Sequence, residues 1–192
     1  MIDKKQFFDG NGEFGRTERV HLTMLTEAEK DLYLSNRYPG KYKVATVLED
    51  WFETIWKVSN DESVLTFCVW DNISNTYVGY CNYNALEKDV AAIGIELIDE
   101  YQNKGLGYEI CSLLLEKFFA KTEEPCIHYE VQRSNMRSRH LCEKLEGVLS
   151  EVNPLSPKLD ELNAGLPEDK RIDCRALDIF TYAIYRPEKQ GQ

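Results

Sequence analysis

The stretch IDEYQNKGLGYEI, residues 98–110, sets two glycines and a lysine between an apolar run and a segment of helical spacing. Upstream, VAAIGIELI (90–98) is almost continuously apolar, which predicts a strand buried on both faces and central in its sheet. Downstream, Ile110, Leu113, Leu114 and Phe118 line one face of a helix that ends near Lys121. A glycine-rich turn at such a junction points successive backbone N–H groups outward, and the helix dipole adds partial positive charge there, so the turn reads as an anion site. Gly105 and Gly107 would let a phosphate approach the backbone without meeting a Cβ. The spacing is neither a Walker A loop nor a dinucleotide fingerprint, because Lys104 precedes the glycines and no third glycine follows.

Working outward, RTERVHLTML (16–25) alternates Val20, Leu22 and Met24 and predicts a first, half-buried strand. Thr26 and Glu29 form a capping box for a helix of about ten residues, EAEKDLYLSNR, which YPGKY ends. Leu48, Trp51, Phe52, Ile55 and Trp56 recur at helical spacing in a second amphipathic helix, whose aromatic stripe reads as core. SVLTFCVWD and NTYVGYCNYNAL read as an antiparallel hairpin, with residues 90–98 the third consecutive strand. PCIHYEVQ predicts a further strand. NMRSRHLCEKLEG predicts a helix with Leu141 and Leu145 inward and a terminal glycine, and LSEVN and ALDIFTYAIYR predict two closing strands. Between these last two lies a polar insert, 154–175, with a short helix expected near Lys158 to Asn163. The expected class is α/β (α+β), with a mixed, mostly antiparallel sheet of about seven strands in the order β-α-α-β-β-β-α-β-α-β-β. Residues 1–192 are expected to form one domain, with 1–15 as an N-terminal arm.

Of the 192 residues, 43% are hydrophobic and 29% charged, enough apolar mass for one substantial core. No run reaches the roughly 18 to 20 apolar residues of a membrane span, and the N-terminus lacks a signal-peptide core, so a cytoplasmic location without membrane attachment is expected. The six cysteines show no metal-ligand spacing, and no metal is expected. A net charge of −10 argues against a nucleic-acid partner and suits a cationic one.

Two motifs carry a resemblance. Q-N-K-G-L-G after ELIDEY resembles the pyrophosphate loop of the GNAT superfamily of acyl-CoA-dependent N-acyltransferases, and EVQRSNMRSRHLCEKLEGV (130–148) is similar to the family's second motif. The EKL variant looks most like the branch containing the ribosomal-protein N-terminal acetyltransferases. The resemblance implies that acetyl-CoA is the co-substrate and that the backbone of Gln102, Asn103, Lys104, Gly105, Leu106, Gly107 and Tyr108 surrounds its pyrophosphate. Leu97, Ile98 and Asp99 would offer backbone groups to the pantetheine arm as an imitation strand. Asn135 matches a position whose side chain touches that arm, and it is equally suited to be an ordinary helix N-cap. Lys104 and Arg139 are the candidates for the phosphates.

Acetyl transfer by direct attack needs a neutral amine, a polarised carbonyl and a proton source for the leaving thiolate. Many family members carry a tyrosine as general acid where this chain has Cys142, which leaves the thiol, another tyrosine or water as the donor. Glu130 matches a position that is a catalytic glutamate in some N-terminal acetyltransferases, while Glu96, inside an apolar strand, is the other candidate base. A protein α-amine, with pKa about 7.7 to 8.0, is more easily deprotonated than a lysine at about 10.4, so an N-terminal acceptor is expected. A small amine such as a polyamine, aminoglycoside or amino acid is the alternative, and a non-catalytic acyl-CoA-binding module the third reading. Dimerisation through the insert stays open.

Overall fold

The computed structural model describes residues 2–7, 12–39, 49–154, 161, 163–171 and 173–187. The chain forms two compact units, Met1–Glu124 and Pro125–Gln192. Both belong to an α/β fold with eight strands and four α-helices among the described residues.

In the first unit, β1 (Glu13–Arg16), β2 (Val20–Met24), β3 (Leu65–Asp71), β4 (Tyr77–Asn84) and β5 (Ala92–Leu97) pair in sequence order, each antiparallel to the next. β1 is a departure, because residues 1–15 were expected to be an arm. Its four residues are too few and too glycine-flanked to show alternation, yet Phe14 is buried and stacks on Phe67 at 4.0 Å between ring centroids. The capping box forms as expected, with Ala28 N–H on Thr26 and Thr26 N–H on Glu29. It opens a 3-10 turn (Glu27–Glu29) that runs into α1 (Lys30–Arg37). In α2 (Glu49–Ser59), Phe52 and Trp56 are buried whereas Trp51 is exposed; Leu48 lies outside the described residues.

Period-two alternation puts the large side chains of β3 and β4 on opposite faces. Phe67 and Tyr83 share one face with Phe7, Phe14 and Phe118 of α3 (Leu106–Lys121), and the Tyr83 hydroxyl donates to the Leu114 carbonyl at 2.6 Å. Cys68, Tyr77 and Tyr80 face the other way, onto Tyr33 and Leu34 of α1 and Phe52 and Trp56 of α2. Each fully buried large side chain contributes about 1.5 to 3 kcal/mol, and the aromatic pairs about 0.5 to 1.5 kcal/mol more.

A β-bulge shapes β4. The register passes from Val69 opposite Gly79 to Trp70 opposite Tyr77, leaving Val78 as the extra residue and bringing Tyr77 and Tyr80 into the same cluster. Gly79 carries φ +150°, and a Cβ there would lie 2.2 Å from the Glu96 carbonyl oxygen. Only glycine lets β4 and β5 approach at this point. In β5, Ala92 and Ile93 are buried while Gly94 to Leu97 are half-buried, so burial on both faces holds only for the start of the strand.

In the second unit, β8 (Ile179–Tyr185) runs antiparallel to both β6 (Cys126–Gln132) and β7 (Val148–Asn153). The last strand begins later than the sequence suggested, because Cys174–Leu177 coil into a 3-10 turn capped by Asp173. α4 (Met136–Lys144) ends with Glu146, not the expected glycine, in the left-handed region at φ +60°. Gly147 instead directs its N–H to the Cys142 carbonyl at 2.9 Å. Of the helix expected near 158–163, Glu161 and Asn163 are helical and the remainder lies outside the described residues.

Candidate acyl-donor and acceptor site

The turn from β5 to α3 is held from below. Gln102 Nε2 donates to the Leu97 carbonyl at 2.7 Å and to Asp99 Oδ1 at 3.0 Å, which folds residues 99–102 back onto the strand end. Asn103 and Gly105 then take positive φ, +59° and +78°. A side chain at Gly105 would meet nothing closer than Arg19 Nη2 at 3.7 Å, so the turn is bare and open on its outer side. Among the described residues, no backbone acceptor outside α3 takes the N–H groups of residues 103–108. Those at the head of α3 have no carbonyl four positions back within the helix. Such a cradle fits an anionic diphosphate, with backbone donors that need no countercharge.

Lys104 sits 5.4 Å from the centre of the Tyr101 ring, and Tyr108 is exposed. Leu106 by contrast is buried and anchors the helix start. One strut was not legible in the sequence. Arg19, just before β2, donates from Nε to Glu109 Oε2 at 2.6 Å and from Nη1 to the Lys104 carbonyl at 2.8 Å.

The end of β5 has two differently turned backbones. Ile98 N–H bonds the Val78 carbonyl at 3.0 Å, so Ile98 belongs to the β4 ladder and its amide is occupied. Antiparallel ladders alternate, so the Leu97 backbone turns away from β4. Of the positions expected to meet an extended arm, Leu97 therefore has the right parity, while Ile98 packs against the core and Asp99 opens a 3-10 turn, Asp99–Tyr101.

Glu96 is half-buried beside them. The Tyr80 hydroxyl donates to its Oε2 at 2.7 Å, while Oε1 accepts nothing from the described residues. Tyr80 is itself set edge-on to Tyr33, with ring centroids 4.7 Å apart. The Tyr80–Glu96 contact unites two strands whose register no local pattern revealed; Arg37 and Tyr33, which complete the cluster, stand at i, i+4 on α1.

The candidates of the second unit fall into separate surroundings. Glu130 is exposed on β6, opposite Thr181. Asn135 caps α4, its Oδ1 accepting from Ser138 N–H at 3.1 Å. Arg139 is turned inward onto its own unit. It stacks 4.9 Å from the Phe180 ring centre and donates to the Arg133 carbonyl at 3.2 Å. Cys142 is fully buried, and burial pushes its thiol up to about 12.

A family model described as an acetyltransferase (GNAT) domain matches residues 18–148. No curated protein matches the sequence significantly. Among solved structures, a domain from Methanocaldococcus jannaschii aligns with a TM-score of 0.62 at 18% identity, over 87% of this chain and 98% of its own. The dodecameric spermidine N-acetyltransferase of Vibrio cholerae aligns with a TM-score of 0.63 at 18% identity, over 88% and 95%. RimL, a ribosomal L7/L12 alpha-N-protein acetyltransferase, aligns with a TM-score of 0.60 at 13% identity, over 88% and 94%. At these identities the likeness establishes the fold alone.

Proposed function

The chain belongs to the GNAT acetyltransferase family, and from that premise we propose that it moves an acetyl group from acetyl-CoA to a primary α-amine, a protein N-terminus before a small polyamine. The observation that carries the reading is the bare turn at residues 102–106 beside an outward-facing Leu97 backbone and the Tyr80–Glu96 pair.

Acetyl-CoA supplies the activated thioester. The amides of residues 103–108 and the head of α3 hold its diphosphate, and the backbone of Leu97 aligns the arm along the end of β5. Gln102, bonded to Leu97 and Asp99, keeps turn and strand end in register, so that one cannot shift without the other. Glu96 Oε1 addresses the incoming amine and receives its proton, with Tyr80 fixing the carboxylate in one orientation. Positioning of the two reactants can supply about 7 to 11 kcal/mol, against about 10² to 10⁴-fold from one base. The residues that hold geometry therefore outweigh any single proton acceptor.

The choice of an α-amine follows from how little base is present. An amine of pKa about 7.7 to 8.0 has roughly a tenth of its molecules neutral at pH 7, whereas one near 10.4 has well under a thousandth. Burial of Cys142 favours a packing role there, and we place the proton for the departing thiolate with the amine, by way of Glu96, or with solvent. The neighbours that acetylate spermidine and a ribosomal protein share the fold equally, so acceptor identity must be read from this chain's own residues.

Calorimetry with acetyl-CoA and thiol-release kinetics with peptides against small amines test the reading. Binding together with faster turnover of peptides supports it. Absence of acetyl-CoA binding, or turnover confined to polyamines, overturns it.

A further inference from the structure

Arg37, the last residue of α1, is half-buried among phenols. Its Nε donates to the Tyr38 hydroxyl at 3.2 Å and its Nη1 to the Tyr33 hydroxyl at 2.5 Å. Ser59 Oγ donates to the Ile55 carbonyl at 2.8 Å, so the Tyr33 hydroxyl, 2.6 Å from that Oγ, must donate to it. The relay thus has one polarity, guanidinium to phenol to serine to carbonyl. It fixes Tyr33 as an acceptor toward Arg37 and pins the guanidinium in place.

A guanidinium carries five N–H donors. Two are used here, and both acceptors are neutral. Among the described residues no carboxylate pairs with Arg37. A half-buried cation without a countercharge is unfavourable, and the fork geometry of a guanidinium matches a carboxylate in two parallel bonds. The surrounding phenols hold the group but do not neutralise it.

Tyr33 stands edge-on to Tyr80, and Tyr80 holds Glu96, so a fixed cation and a fixed anion flank one edge-to-face pair of phenols. We propose that Arg37 receives a carboxylate carried by the acceptor whose amine Glu96 addresses, an inference that rests on the acetyltransferase reading above. The substrate class is then an amine bearing a carboxylate a short distance away. An acidic side chain near a protein N-terminus and the α-carboxylate of a free amino acid both supply that chemistry. The chain's net charge of −10 acts over distance and is screened beyond about 8 to 10 Å at physiological salt, whereas the Arg37 contact acts at hydrogen-bond range.

The test compares kcat/KM for peptides of equal length beginning Ser-Asp and Ser-Asn, and for an amino acid and its carboxamide, in the wild type and in Arg37→Gln. The acid should exceed its amide by about tenfold or more in the wild type. The ratio should fall to about one in Arg37→Gln while acetyl-CoA affinity is unchanged. A preference seen only among peptides assigns the carboxylate to a protein segment, and one seen only among amino acids assigns it to a free metabolite. Turnover of acid and amide at equal rates by the wild type overturns the inference and leaves the acetyltransferase reading standing. No turnover of any amine overturns both. Should Arg37→Gln fold poorly, the wild-type ratio decides by itself, and Arg37→Lys, which keeps the charge but not the fork, should retain only part of the preference.

Discussion

Arg19 and Glu109, ninety positions apart, close the turn before β2 onto the first turn of α3, with Arg19 Nε 2.6 Å from Glu109 Oε2. Arg19 reaches further, to the Lys104 carbonyl, so one side chain braces the glycine turn as well as the head of α3. Burial raises the Glu109 carboxyl, but hydrogen bonds from Thr17 and Arg19 and the Arg19 charge outweigh it and hold the group below the usual carboxylate range. Half-exposed pairs of this kind contribute about 0.2 to 1 kcal/mol, so the brace tunes the turn rather than holding the fold.

Arg19→Ala should therefore weaken acetyl-CoA binding by up to about fivefold with little change in melting temperature. Calorimetry and thermal unfolding check both halves. The pH dependence has a definite sign. Because the folded-state pKa of Glu109 is depressed, its contribution is present above the ordinary carboxylate pKa near 4.5 and is lost as pH falls through the folded value. Glu109→Gln should remove that part of the acid-side loss of affinity.

Gly79→Ala should be among the most damaging single-methyl changes. The new Cβ would meet the Glu96 carbonyl oxygen at 2.2 Å and the Leu97 Cα at 2.8 Å, both backbone of β5, in a conformation that side chains rarely adopt. Strain alone costs about 1 to 3 kcal/mol, and relief by moving β5 would displace Glu96 and the Leu97 backbone together. Loss of several degrees in melting temperature with a matching loss of acetyl-CoA affinity is expected. Gly94→Ala is the control, since its Cβ would meet a side-chain atom, Asn82 Oδ1, that can rotate away. Equal damage from both would remove the special role of Gly79.

The parts of the molecule written in local pattern were readable without coordinates. The capping box at Thr26 and Glu29, the helix carried by Ile110, Leu114 and Phe118, and the β3–β4 hairpin each depend on residues close in the chain. The glycine turn between β5 and α3 belongs to the same class, because glycine at a strand-to-helix junction is a sequence statement. What escaped was set by register and long-range contact. The bulge at Val78 that brings Tyr77 beside Tyr80, the Tyr80–Glu96 bond and the Arg19 brace all join segments whose alignment no periodicity specifies. β1 was missed for the reverse reason, since its four residues acquire strand character from β2 and from Phe67 rather than from their own composition.

Tyr77 and Tyr83 separate a phenol that only packs from one that also bonds. The Tyr77 hydroxyl is buried and has no partner among the described residues, while the Tyr83 hydroxyl gives its proton to the Leu114 carbonyl. Burial pushes both hydroxyls well above the ordinary phenol pKa, with neighbouring thiols adding to it, so each stays protonated throughout the working range. Leaving a buried polar group without a partner costs about 1 to 3 kcal/mol, whereas a bonded one contributes about 1 kcal/mol. Tyr77→Phe should then leave stability unchanged or raise it by about 1 kcal/mol. Tyr83→Phe should lower it by a similar amount, because the Leu114 carbonyl loses a donor in a site closed to water. Urea unfolding of the two variants reads the difference directly. Destabilisation by Tyr77→Phe as large as that by Tyr83→Phe would mean that the Tyr77 hydroxyl has a partner, and a fall in turnover with unchanged stability would place that partner in the reaction.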